Sequence, residues 1–126
     1  MSRTDPPADT AGAARGARAE ALAADYLSAQ GLVLVARNFR TRHGEIDLIA
    51  REREVLVFVE VRLRSLATFG GAAASITPAK QARLALAAQA YLAQLPREPA
   101  CRFDAILLDG LDPARIVWER NILEAG

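Results

Sequence analysis

Gly44-Glu45-Ile46-Asp47-Leu48-Ile49-Ala50, then Val55-Leu56-Val57-Phe58-Val59-Glu60-Val61-Arg62, is the stretch that decides the fold. The second run is dense in β-branched side chains and reads as a strand. The first alternates and reads as its neighbour. Arg51-Glu52-Arg53-Glu54 between them reads as the turn of a hairpin. A turn of that even length sets Ala50 opposite Val55, Asp47 opposite Phe58 and Glu45 opposite Glu60. Side chains alternate along a strand, so Glu45, Asp47, Glu60 and Arg62 project from one face. Ile46, Leu48, Ala50, Val55, Val57, Val59 and Val61 then form an apolar core face.

Upstream, Ala19, Leu22, Ala23, Tyr26 and Leu27 recur at the spacing of one helical stripe, within a helix over 11–30. Gly31 supplies its left-handed stop. Leu32–Val35 reads as a short strand, and Arg37–Gly44 as a strand end and turn. Downstream, a helix runs from Pro78 to about Leu95, with Thr77 as N-cap and Pro96 as terminator. Leu84, Ala88, Tyr91, Leu92 and Leu95 make its buried face. Phe103–Leu108 is a further strand, and Ile116–Trp118 a last one at an edge. The order α-β-β-β-α-β-(β) predicts an α/β domain, one sheet flanked by two helices. Residues 1–10 read as a disordered tail and 11–126 as a single domain. The connection Ser65–Ile76, with Gly70 and Gly71, is long enough to expect a functional or mobile loop.

The chain has 126 residues, enough for one domain with its own core. Its single cysteine, Cys101, excludes a disulfide scaffold and a cysteine-based zinc finger. No apolar run is long enough for a membrane span, and the first residues lack the apolar stretch of a secretory signal. A cytoplasmic protein without membrane contact is the expectation. Net charge is +1, so the overall balance neither demands nor excludes nucleic acid. The distribution says more: Lys80 is the only lysine, and Arg37, Arg40, Arg42, Arg51, Arg53, Arg62 and Arg64 crowd one region. Arginine offers a planar fork that matches phosphate oxygens.

Three carboxylates on one hairpin face oppose one another. A divalent cation removes that conflict, because Mg²⁺ takes one or two carboxylates, keeps several waters and bridges to phosphate. The plainer alternative is that Glu45, Asp47 and Glu60 are solvated and paired with Arg62 and Arg64. Lys80 lies in the first turn of its helix, where a cation is unfavourable by roughly 0.3–1 kcal/mol when exposed. A phosphate at that helix start would meet backbone N–H groups, Lys80 and, on the same side, Arg83. The alternative is an ordinary solvated lysine. Among the remaining residues, His43 reads as an exposed turn residue, and Cys101 as a small apolar residue packed at a strand start. Asp104 reads as an ion-pair partner of Arg102, Tyr91 and Trp118 as core, and Phe69 as a candidate for stacking a base.

Arg37-Asn38-Phe39-Arg40, GEIDLIA, VFVEVR, Phe69-Gly70-Gly71, PAKQARLALAAQAYL and CRFDAILL together resemble the uncharacterised YraN-like bacterial family, over about Arg15 to Leu123. That family is similar to the restriction-endonuclease-like superfamily and to Holliday-junction resolvases. The resemblance implies a mixed β-sheet flanked by helices, with an Asp and a Glu on adjacent strands holding Mg²⁺ or Mn²⁺. Carried over, Asp47 and Glu60 are the metal ligands, with the Val61 carbonyl as a third. Glu45 is an accessory acid, and Glu20 matches a helix acid found in some resolvases. Arg62 stands where the superfamily has a lysine. It stays protonated and cannot act as a general base, but it can hold a phosphate.

The expected function is a metal-dependent, endonuclease-like protein acting on nucleic acid, DNA first and branched DNA among the candidates. Arg40, Arg64, Lys80 and Arg83 are its expected phosphate contacts, and a homodimer would suit two-fold substrates. The alternatives are a nucleic-acid-binding module with weak or lost catalysis and a protein-interaction scaffold.

Overall fold

The computed structural model describes residues 10–64 and 77–123. Helix α1 (Thr10–Ala29) is followed by strands β1 (Val33–Arg40), β2 (Glu45–Glu52) and β3 (Val55–Arg64). Helix α2 (Pro78–Leu92), strand β4 (Cys101–Asp109), a 3₁₀ turn (Pro113–Arg115) and strand β5 (Ile116–Glu119) complete the order. The five strands form one mixed sheet in sequence order. β3 and β4 are parallel, joined through α2, and all other neighbours are antiparallel. This is the α/β layout read from the sequence. Of the tail read at 1–10, residues 1–9 lie outside the described residues and Thr10 belongs to α1; the connection 65–76 with Phe69 and the Arg64 side chain also lie outside them.

Each helix buries the stripe its sequence offers. Ala19, Ala23, Ala24 and Leu27 of α1 pack on Leu48, Ala50, Val57, Val59, Ile106 and Leu108. Leu84, Ala87 and Ala88 of α2 pack on Ile46, Ile49, Leu56 and Phe58 of the opposite face. Small alanines let both helices approach the sheet closely. Fully burying each of the larger aliphatic side chains stabilises by about 1.5–3 kcal/mol. Tyr91 is half-buried edge-on to Phe39 and Phe58. Gly31, at φ 97°, ends α1 with Leu32 N–H bonding the Leu27 carbonyl and Gly31 N–H the Ser28 carbonyl. That is the double closure a left-handed glycine permits. Thr77 Oγ1 accepts from Lys80 N–H at 3.2 Å and caps α2 as expected.

β1 runs unbroken from Val33 to Arg40, joining the short strand and the strand end read from the sequence, with β2 paired along it back to Glu45. Three local expectations are corrected. α2 closes at Leu92, with Ala93 as C-cap, one turn short of Leu95. Cys101 is exposed instead of packed. The hairpin register differs by two residues: Ala50 faces Val57 and Glu52 faces Val55. The turn is only Arg53-Glu54, because Arg53 adopts a left-handed φ of 56° and reverses the chain in two residues. A shift of two preserves which face each side chain takes, but changes what stands opposite what.

The end of the sheet near the hairpin turn is held by a buried ionic network. Asp104 is fully buried and accepts from Arg102 Nε, Trp118 Nε1 and Asn121 N–H at 3.0–3.1 Å. Arg102 reaches Glu52 at 2.8 Å, and Arg120 pairs with the same Glu52 while lying over the Trp118 ring. The expected Arg102–Asp104 pair is therefore one link of a clamp that ties β2, β4 and the segment after β5. Asp104→Ala would strand buried donors and should cost about 3–5 kcal/mol in urea unfolding. A loss below about 1 kcal/mol would show that the network contributes little.

Candidate functional site

The site forms where β2 and β3 part. Their ladder runs from Glu52↔Val55 to Leu48↔Val59 and ends there, while β2 stays paired to β1 as far as Arg40↔Glu45. Asn38, between the Arg37↔Leu48 and Phe39↔Ile46 pairs of that ladder, takes a left-handed φ of 52°. Across this irregularity Ile46 packs with Ile49 and Leu84 toward α2, not with Leu48 and Ala50 as strict alternation predicted. One step past the last β2–β3 pair, Asp47 replaces the lost backbone partner: its Oδ2 accepts from Val61 N–H at 2.8 Å. Continuing the register by that step sets Asp47 beside Glu60, in place of the expected Glu45 opposite Glu60.

Burial first, then the adjacent Glu60 carboxyl and the Glu45 charge push the Asp47 carboxyl from an ordinary 3.8 up to about 7, against the lowering effect of Val61 N–H. Glu60 is also paired with Arg62 at 3.0 Å, both side chains being largely buried. Arg62 Nε is buried and has no hydrogen-bond partner among the described residues.

A cavity of about 350 Å³ opens over this pair, lined by Glu45, Asp47, Glu60, Arg62, Lys80 and Arg83, with Gly44, Val61 and Leu84. It lies at the C-terminal end of β3 and the N-terminal end of α2, where open α/β sheets bind ligands. The turn before β2 shapes one wall. Thr41 bonds Gly44 in both directions, and a Cβ at Gly44 would stand 2.7 Å from the Arg83 carbonyl. Only glycine lets this turn rest on the α2 backbone.

The remaining expected residues separate. Lys80 and Arg83 line the cavity. Arg40 does not: it is exposed and paired with Glu45 at 3.0 Å. Glu20, on α1, lies off the cavity but within electrostatic reach. Its carboxyl is raised first by burial and then by the charges of Asp47 and Glu45, while a hydrogen bond to Asn38 opposes them. Asn38 is the residue that sequence reading missed, although it stands inside the Arg37–Arg40 motif. His43 is exposed in its turn, as read.

No group of three or more metal-ligating side chains converges among the described residues. Two adjacent carboxylates whose charges oppose one another nevertheless fit a hard cation that keeps most of its waters.

The fold and site together define an α/β protein with a paired-carboxylate cleft edged by basic residues. The family model "Uncharacterised protein family UPF0102" matches residues 19–108, a span containing Glu20, Asp47, Glu60, Arg62, Lys80 and Arg83. A UPF0102 protein of Cupriavidus taiwanensis is 55% identical over 113 residues, covering 89% of this chain and 84% of the relative. One from Nitrosospira multiformis is 51% identical over 110 residues, covering 87% and 92%. One from Methylobacillus flagellatus is 54% identical over 110 residues, covering 87% and 96%. The chain belongs to the UPF0102 family, the YraN family that its motifs resemble. No helix among the described residues is long and apolar enough to cross a membrane.

The raised Asp47 carboxyl gives stability a pH signature. Between about pH 4 and pH 7 the folded chain binds a proton that the unfolded chain has released, so stability falls as pH rises through that window. Asp47→Asn should flatten this slope and stabilise the protein at pH 8 by about 1–3 kcal/mol. Urea unfolding at pH 5 and pH 8 measures both, and equal slopes for the two proteins would contradict the assignment.

Proposed function

We propose that this chain binds nucleic acid through its phosphates in the Asp47–Glu60 cleft and hydrolyses phosphodiester bonds with a divalent cation, Mg²⁺ or Mn²⁺. The observation that carries the reading is one cavity lined by a coupled carboxylate pair and by three basic side chains. Asp47 and Glu60 would hold the cation, which supplies Lewis acidity and activates water when bound. Val61 N–H holds Asp47 by Oδ2 on the cleft wall, beside Glu60. Lys80 and Arg83 stand near the start of α2, where the helix dipole adds to their attraction for phosphate. Glu45, held by Arg40, and Glu20 on α1 add negative charge around the pair and strengthen its demand for a cation. DNA is the first substrate to test, with branched forms included.

A second reading keeps the phosphate binding and drops the hydrolysis. It is favoured by the Arg62–Glu60 ion pair, which already neutralises one of the two carboxylates. Binding that weakens steeply with salt but yields no product would mark it.

The test is a cleavage panel of branched, flap, duplex and single-stranded DNA and of RNA, with Mg²⁺ and Mn²⁺, on protein free of host nucleases. The wild-type chain should cut at least one substrate, and Asp47→Asn should cut it about a hundredfold or more slowly. Undiminished cleavage by Asp47→Asn rules the mechanism out. Metal-independent binding without cleavage selects the second reading.

A further inference from the structure

We infer that Arg62 is a built-in counter-ion of the carboxylate pair, which a divalent cation displaces from Glu60 and which then takes the phosphate. This inference rests on the proposed cation site and concerns the order in which that site is filled.

The two carboxylates are not equivalently satisfied. Glu60 Oε2 holds Arg62 Nη2 at 3.0 Å. Asp47 has the Val61 N–H and no ion pair among the described residues. A cation entering beside Asp47 therefore meets one carboxylate free of a basic partner and one already neutralised. Sharing Glu60 between a divalent ion and a guanidinium sets two like charges on one carboxylate in a partly buried place, where screening by water is weak. The guanidinium is the mobile party, because it ends a long side chain whereas Asp47 is pinned to the β3 backbone.

Arg62 is also incompletely satisfied where it stands. Its Nε is buried without an acceptor among the described residues, and a buried donor left unpaired is unfavourable. The same cavity holds Lys80 and Arg83, so an oxyanion there would find three basic side chains around it. A phosphodiester supplies acceptor oxygens in the geometry of the guanidinium fork. Release from Glu60 and capture by phosphate are thus two halves of one movement. Cation and phosphate binding become positively coupled through this one side chain, and the coupling is reciprocal.

The test is calorimetric titration of the full chain with MgCl₂ at low ionic strength and without nucleic acid. Arg62→Gln should bind Mg²⁺ roughly tenfold more tightly than wild type, because the competing charge is gone. Asp47→Asn should lose the binding. If Asp47→Asn loses it while Arg62→Gln is unchanged or weaker, the exchange is overturned and the cation site stands. If Asp47→Asn keeps wild-type affinity, the cation site itself is refuted and the inference falls with it. A second readout does not depend on any Arg62 variant folding. The ¹⁵Nε–¹H signal of Arg62 in the wild-type chain should move on Mg²⁺ saturation, and again when a short single-stranded oligonucleotide is added. It should stay fixed under Mg²⁺ in Asp47→Asn. A signal that does not move under Mg²⁺ in the wild type overturns the exchange.

Discussion

The bond from Val61 N–H to Asp47 Oδ2 is the constraint on which the site depends. β2 stops pairing with β3 after Leu48↔Val59, so β3 presents a donor without its ladder partner. An unmet backbone N–H in that half-buried place is unfavourable, and a carboxylate answers it well. The same bond fixes Asp47 beside Glu60 and draws a negative charge into a place poor in water. The cleft and the raised Asp47 carboxyl both follow from that parting of strands.

The two ends of the sheet treat buried carboxylates in opposite ways. At one end Asp104 is surrounded by donors from Arg102, Trp118 and Asn121, and Glu52 by two arginines. That end is closed chemically and serves to hold the hairpin and the chain after β5 in place. At the other end Asp47 has one backbone donor and two acids near it. Stability provided by the clamp offsets the cost of an acid pair that is not self-sufficient. A surplus of negative charge facing a cavity, with basic residues on its rim, is what a site for a cation and a phosphate requires.

The carboxylate pair was legible because period-two alternation survives a register error of two residues. Glu60 interrupting an apolar strand marked it, and the family motifs marked Asp47. The turn length was not legible, since Arg53 in a left-handed conformation carries no sequence signal of the kind a glycine would. Ile46 was assigned to the wrong face because a positive φ at Asn38, on the neighbouring strand, accompanies a break in the alternation on both. Asn38 also lies within reach of Glu20 and opposes the rise of its carboxyl, a relation between elements far apart in sequence that no local pattern reveals. The Arg40–Glu45 ion pair is a cross-strand contact that charge patterning alone does not reveal.

A shared cation between Asp47 and Glu60 is seen most directly by anomalous scattering from a crystal grown with Mn²⁺. The account predicts one strong peak within bonding distance of both carboxylates, with the Arg62 guanidinium withdrawn from Glu60. A crystal with Mn²⁺ bound elsewhere, and Arg62 still seated on Glu60, would contradict it.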